Sequence, residues 1–231
     1  MKQQQIEKRI LKLPQLDKST FRRAYTAIRP FRKTGIRVEK EILQSKVIFH
    51  NYGHGGAGIS LSAGTAWEVS ELVDRENVQS RNISVLGSGI VGLATALELA
   101  QRGYNVTIYS KVIPYTKDKK NEDLITSQVA VGIWYPSHCN FQDQKQQDLR
   151  CEKGYKQYEA WLAKKWKGLE EVVGYYEEPK DQYRSIFPES TGIPVNTVNL
   201  SFSPHSNKSV EVMEFKSIKI NLEIFLPELI K

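Results

Sequence analysis

Cysteine is nearly missing from this chain. Only Cys139 and Cys151 occur in 231 residues, which excludes a disulfide framework and points to a reducing compartment. Long hydrophobic runs are missing too. No stretch approaches the ~18 consecutive apolar residues of a spanning helix, so no membrane partner is expected. The opening Met1-Lys-Gln-Gln-Gln-Ile-Glu-Lys lacks the apolar run of a secretory leader. The N-x-S/T triplets at Asn82, Asn105, Asn199 and Asn207 therefore carry little weight as glycosylation sites. There is no internal repeat and no low-complexity tract. What is present is a composition 26% charged and 40% hydrophobic, with 33 Lys and Arg against 26 Asp and Glu, a net charge of +7. That length can bury a substantial core. Basic residues run along the chain among acidic ones, which argues against a nucleic-acid partner. A globular cytoplasmic protein is the expectation.

Periodicity suggests the organisation. Residues 1–20 lean towards helix, with Ile6, Ile10 and Leu11 at helical spacing and Pro14 as the break. An Arg-rich stretch from Phe21 to Gly35 follows, around an extended Ile28-Arg29-Pro30-Phe31. Two strand-prone pieces over Ile36 to Phe49 lead into the glycine cluster His50-Asn-Tyr-Gly-His-Gly-Gly-Ala-Gly58. Helix is expected over Ala63 to Val73, with Trp67, Ser70 and Val73 on one face, and a polar connector over Asp74 to Arg81. Lys117 to Asp123 reads as a charged loop, and Val129 to Tyr135 is apolar up to Pro136. A long helical pattern covers Gln142 to Lys167, with Tyr155, Tyr158, Leu162, Trp166 and Leu169 as its core stripe. Val172 to Ser209 is weakly periodic, and Ile218 to Leu226 is apolar again.

The sharpest signal lies between residues 82 and 109. A short apolar strand, Asn82 to Leu86, enters Gly87-Ser88-Gly89-Ile90-Val91-Gly92, and a helix to about Arg102 follows. Its expected core face is Leu93, Ala96, Leu97 and Ala100. Gly103 stops the helix and Val106 to Tyr109 is a second strand. Strand, G-x-G-x-x-G, helix and strand within about 30 residues form a dinucleotide-binding unit. Gly87 permits the tight turn, Gly89 lets pyrophosphate approach the backbone, and Gly92 permits close helix–strand packing. The helix N-terminus offers N–H groups and a positive dipole end to phosphates. An acid usually closes the second strand to hold the ribose. Here Ser110 and Lys111 follow Tyr109, so Ser110 is left to meet the ribose and Lys111 a phosphate.

Other candidates are weaker. His50 and His54 are four apart, but Gly53 between them and the missing third ligand argue against a metal site, and none is expected. The glycine cluster reads as backbone brought close to something flat or anionic. Arg29, Arg32 and Arg37 form either a solvated basic edge or a clamp for a carboxylate. The aromatic residues of the long helix read as core, and both cysteines as structural.

Three segments together resemble the D-amino-acid oxidase and D-aspartate oxidase family. Ile83 to Leu99 is similar to its amino-terminal flavin motif. Thr126-Ser-Gln-Val-Ala-Val-Gly-Ile-Trp-Tyr-Pro136 is similar to the T-x-x-x-A-x-G-x-W-x-P stretch after it. Ile28 to Arg32, Ile36 to Glu39 and His50 to Gly58 resemble the carboxy-terminal signature. The carboxy-terminal signature here comes first, and roughly the central third of a family member has no counterpart. A circular permutant fits this order, with residues 74–81 joining the old ends. The tail of one gene copy read into the head of the next fits it also, and the stop after Leu226-Pro-Glu-Leu-Ile-Lys231 favours that second account.

The resemblance implies an α/β fold: a Rossmann-type FAD-binding domain with a partial antiparallel substrate-binding sheet. It divides the chain into a substrate-domain remnant (1–36), an FAD-binding domain (37–178, made of 37–73, the connector 74–81 and 82–178) and a partial substrate domain (179–231). It implies FAD as cofactor and oxidative deamination of a D-amino acid by molecular oxygen, and it leaves a homodimer open. Arg29 falls on the family's carboxylate-binding arginine. Gly87, Ser88, Gly89, Ile90, Val91, Gly92, Ser110 and Lys111 fall on the dinucleotide site. Thr126, Ser127, Gly132 and Ile133 fall on further flavin contacts, and Gly55, Gly58, Ile59 and Ser60 on the flavin's pyrimidine end. The family's substrate-covering tyrosines have no counterpart, which opens a second hypothesis, a flavin-binding fragment without turnover. A third, an NAD-type module, is opposed by the His50 to Gly58 match. The resemblance leaves a peroxisomal location open beside the cytoplasmic one, although the terminal Leu229-Ile230-Lys231 does not support that address.

Overall fold

The computed structural model describes residues 7–13, 15, 17–76, 80–114, 124–177, 187–202 and 208–231. Ile6, Pro14, the Lys117–Asp123 loop and part of the 74–81 connector lie outside these. Strands are β1 (Lys8–Ile10), β2 (Arg37–Leu43), β3 (Lys46–Tyr52), β4 (Asn82–Leu86), β5 (Asn105–Tyr109), β6 (Leu169–Tyr176), β7 (Val195–Ser201) and β8 (Val210–Ile220). Helices are α1 (Gly58–Glu76), α2 (Ile90–Gln101), α3 (Gln144–Ala163) and α4 (Leu222–Glu228). The fold is mixed α/β. Strands β2 and β3 form an antiparallel hairpin, and β4 and β5 a parallel pair in register from Asn82–Asn105 to Leu86–Tyr109. A four-stranded sheet runs β1-β7-β8-β6, antiparallel except where β1 joins β7.

Helix α1 is the axis of the molecule. It is built of small residues along one stretch, Ser60, Ser62, Ala63, Gly64, Thr65 and Ala66, all buried, because α2 and α3 both pack on it. The crossing with α3 is close. A Cβ on Gly64 would overlap the Arg150 carbonyl oxygen, and one on Gly154 would lie 2.9 Å from the Ser60 carbonyl oxygen. Helix α3 starts where the Asp143 carboxylate accepts the N–H groups of Lys145 and Gln146. It buries Gln147, Arg150, Cys151, Gly154, Tyr155, Tyr158 and Trp161 at three- and four-residue spacing. Arg150, 4% exposed, forks onto Glu68 of α1 at 2.6 and 3.1 Å, so the one buried guanidinium at this crossing is paired.

The core divides around this axis. Trp134, Tyr155, Tyr158, Phe215, Ile218, Phe225 and Leu226 share the main cluster with Leu61 and Leu93. Val69 and Val73 of α1 meet Val85, Ala96, Leu99 and Tyr104 in a second, which seats the β4–α2–β5 unit.

Some elements differ from the expectation. Residues 8–10 are strand, not helix, because β7 offers an unpaired edge: Asn199 N–H bonds the Glu7 carbonyl, Leu11 N–H the Ser201 carbonyl, and Arg9 forks onto Glu214. Helix α1 runs from Gly58 to Glu76, longer at both ends than Ala63–Val73. In α2 the buried residues are Ile90, Leu93, Ala94, Thr95, Ala96 and Leu99, while Ala100 is exposed. Helix α3 stops at Ala163, so Trp166 and Leu169 lie beyond it. Trp166 folds back to stack on Trp161 at 5.3 Å. The apolar Val129–Tyr135 stretch is hitched to the end of β8 through Trp134 N–H on the Ile218 carbonyl and Ile220 N–H on the Gly132 carbonyl. Among the described residues no helix is long and apolar enough to cross a membrane.

Gly64→Ala should lower stability by about 1–3 kcal/mol, since the added methyl must push two helix backbones apart. Thermal unfolding followed by circular dichroism checks this, with a Tm drop of about 2–4 °C per kcal/mol expected at this chain length.

Candidate functional site

The parallel pair β4–β5 and helix α2 place the glycine turn at the carboxyl ends of the strands, where open α/β units take ligands. Gly87 has φ +110°, a value that disfavours any side chain. Its N–H bonds the Tyr109 carbonyl at 2.8 Å, which ties the turn to β5. A Cβ on Gly92 would overlap the Gly87 carbonyl oxygen, so the helix sits as close as glycine allows. Toward Gly89 the nearest atom to a built Cβ is Ser127 Oγ at 3.4 Å. The Ile90 N–H donates to that same hydroxyl at 3.0 Å. The Val91 and Gly92 amides follow in the first helical turn, where no intrahelical acceptor exists. Ser88 and Ser110 hydroxyls lie 2.7 Å apart and both reach the Val112 carbonyl, joining the turn to the end of β5. Lys111 is exposed beside them.

The carboxy-terminal-type segments pack in cis against this unit. The Asn51 amide donates to Thr95 Oγ1 of α2 at 3.0 Å. A Cβ on Gly58, at the start of α1, would lie 3.8 Å from Ile90 Cγ2 at the start of α2. The N-termini of α1 and α2 therefore adjoin. The Thr126 hydroxyl donates to the Ile28 carbonyl at 2.9 Å, and Gly55 N–H to the Pro30 carbonyl at 3.1 Å. Gly56 N–H bonds the His138 carbonyl at 2.8 Å. Arg29 is exposed, its Nη1 3.4 Å from where a Gly56 Cβ would stand. Ile28 and Pro30, on either side of Arg29, thus bond Thr126 and Gly55, while Gly58 adjoins Ile90, whose N–H bonds Ser127.

Other candidates face elsewhere. Ser60 is buried, with its hydroxyl accepting the Tyr135 N–H at 2.8 Å. Ile59 is buried, with its carbonyl accepting the Tyr158 hydroxyl. Gly132 and Ile133 lie against the end of β8, at Ile220 and Lys219. His50 bonds Glu41 at 2.8 Å, while His54 is buried and bonds Thr65 Oγ1 at 2.9 Å. The Thr65 hydroxyl also has the Leu61 and Ser62 carbonyls as acceptors, which leaves its oxygen placed to accept from the Nε2–H tautomer of His54. Burial, with Arg150 nearby, pulls the His54 pKa down to about 3. Cys139 and Cys151 flank the Gln147 amide, and burial raises both thiols, Cys139 to about 11. Sequence reasoning missed the Ser137–His138 loop, whose backbone seats Gly56. The Pro136 break was its only signal.

The chemistry of this arrangement suits a phosphate-bearing dinucleotide. Residues 82–185 match the family model DAO, FAD dependent oxidoreductase. Over those residues, less than half of the chain, the sequence is similar to FAD-dependent oxidoreductases of that family. Curated relatives carry more particular names: a D-amino-acid oxidase of Fusarium vanettenii is 49% identical over 49 residues, 21% of this chain and 14% of its own length. A D-amino-acid oxidase of Dictyostelium discoideum is 48% identical over 50 residues, again 21% and 14%. A D-aspartate oxidase of Cryptococcus neoformans is 50% identical over 46 residues, 19% and 12%. The resemblance to D-amino-acid and D-aspartate oxidases holds over these stretches, which span about one seventh of each relative.

His54 generates a pH prediction. Its folded pKa is depressed, so its contribution to stability is present above the unfolded value of 6.5 and is lost as pH falls towards 3. The slope it adds is up to about 1.4 kcal/mol per pH unit. His54→Gln, which retains an amide donor for Thr65, should flatten the denaturant-derived stability profile between those pH values.

Proposed function

We propose that the chain is a D-amino-acid oxidase-like flavoprotein, with a Rossmann-type FAD-binding unit and part of an antiparallel substrate-binding sheet. The observation that carries this reading is the Gly87–Gly92 turn. Its positive φ, the closeness of Gly92 to the strand and the open side of Gly89 form a cradle that a Cβ would fill. The amides at the start of α2 would hold the pyrophosphate, with Ser127 flanking them and Ser110 and Lys111 at the adenosine side. Gly55 and Gly58, at the start of α1, would sit by the ring system, Thr126 beside them. When bound, FAD supplies the two-electron acceptor that oxygen then regenerates.

The overall reaction is D-amino acid, oxygen and water giving a 2-oxo acid, ammonia and hydrogen peroxide. Arg29 would take the substrate carboxylate in the planar fork of its guanidinium, which fixes the α-carbon relative to the cofactor cradle. The start of α1, adjoining that of α2, directs a second positive dipole end at the same region and would stabilise negative charge developing there.

A flavin-binding chain without turnover is the second reading. It is favoured by the openness of the Arg29 segment, where Ile28 is 88% and Phe31 55% exposed, because water exclusion around the reacting atoms is then poor.

Purified protein should be yellow, with flavin absorbance lost in Gly89→Val. A panel including D-alanine and D-aspartate should release peroxide, and Arg29→Leu should lower kcat/KM by about 100-fold or more while keeping the flavin. A flavin-loaded preparation that releases no peroxide from any D-amino acid would establish the second reading instead.

A further inference from the structure

The chain's excess positive charge is concentrated in one stretch, which corrects the expectation of basic residues interleaved with acidic ones throughout. Residues 18–38 contain Lys18, Arg22, Arg23, Arg29, Arg32, Lys33 and Arg37 and no Asp or Glu. Removing these seven from the 33 basic residues leaves 26 against 26 acidic ones, so the whole +7 resides in this stretch. Arg37 is paired with Glu39 and Glu41. Among the described residues Lys18, Arg22, Arg23, Arg29 and Lys33 have no carboxylate partner.

The same stretch carries exposed apolar side chains. Every residue from Phe21 to Phe31 is exposed, and none from Phe21 to Pro30 is in a helix or strand. Phe21 is 68% exposed, Tyr25 52% and Ile28 88%, and Leu13 just before them 61%. The Asp17 carboxylate accepts the Ser19 and Thr20 N–H groups, and hydrogen bonding holds it ionised, with its pKa lowered to about 2. That turn is closed within residues 17–20, and β1 before it fixes one end of the segment to β7. The bonds of Ile28 and Pro30 to Thr126 and Gly55 fix the other. The apolar and cationic groups are therefore anchored at both ends and left facing water, an arrangement that marks an interaction surface.

We propose that residues 18–33 dock on an anionic lipid surface. Interleaved cations and bulky apolar groups match the boundary between headgroups and acyl chains, where charge attraction and apolar burial act together. A single-stranded nucleic acid would use the arginines and rings, but it offers nothing to Ile28 and Leu13, the two most exposed aliphatic groups here. The contact is peripheral and revises the expectation of no membrane partner, which rested on the lack of a spanning run. It uses charge and exposure, and apart from Arg29, which the flavin reading gives to the substrate carboxylate, its groups play no part in that reading.

The full chain is tested by cosedimentation with phosphatidylcholine vesicles, with and without about 30% phosphatidylserine. Binding is expected only to the anionic vesicles, weakening between about 0.1 and 0.5 M NaCl. Arg22→Glu with Arg23→Glu should lower partitioning by about tenfold or more. Phe21→Ser should lower it while leaving the salt dependence in place. All three positions are exposed, and the unmutated protein's lipid and salt comparisons decide without them. Absence of binding, equal binding to neutral vesicles, or tighter binding to single-stranded DNA than to the anionic vesicles would overturn the proposal.

Discussion

The crossing of α1 with α3, and of α1 with α2, is the constraint on which the rest depends. Helix α1 is walled in on two sides, and only a run of Ser, Ala, Gly and Thr lets both neighbours approach. At Gly64 and Gly154 the backbones are so near that the contact is made between main chains, which leaves no side chain to yield. The buried Arg150–Glu68 fork fixes the rotation of α3 on α1, because any other setting strands a charge. With α1 set, its amino terminus lies next to that of α2. The two glycine-bearing segments, far apart in the chain, then share one edge of the molecule.

Segment order matters less than packing for that reason. The segments that resemble the carboxy-terminal signature precede the glycine turn in this chain, and they still meet it through Asn51–Thr95, Gly58–Ile90 and Ile28–Thr126. The β2–β3 hairpin and α1 need only a short link to the start of β4. The sheet β1-β7-β8-β6 is attached by another route, through Gly132 and Trp134 at the end of β8. This hitch joins residues 132–134 to residues 218–220 by main-chain hydrogen bonds, so the sheet and the glycine turn are joined without sharing strands.

The pattern of legible and illegible features follows from the range of the forces involved. The β4–α2–β5 unit was readable because each of its signals is local: a strand-length apolar run, glycines at fixed spacing, a helix and the glycine after it. The lead-in to β1 was not, because Lys8–Ile10, within a stretch that leans towards helix, became strand only where β7 supplied an edge. The inward face of α2 moved from Ala100 to Leu99 because α1 and β4 decide which side is covered. Ser60 came into view only through the resemblance, at the flavin's pyrimidine end. Its commitment to the Tyr135 amide could not be read, since that bond spans 75 residues.

The sequence by itself determined the chemistry on offer: a glycine turn that brings amides close to phosphate, an arginine-rich extended segment, and residues arranged like those of flavin-dependent oxidases. These depend on neighbours a few positions apart, so order along the chain suffices. Only the tertiary structure decided which of them stand together. It gathered Gly58 and Ser127 beside the start of α2, tied the Ile28–Pro30 segment to Thr126 and Gly55, turned Ser60 and Ile59 into the core, and left residues 21–31 bare to water. Those outcomes depend on which surfaces α1 covers, and that is settled by packing between elements distant in sequence.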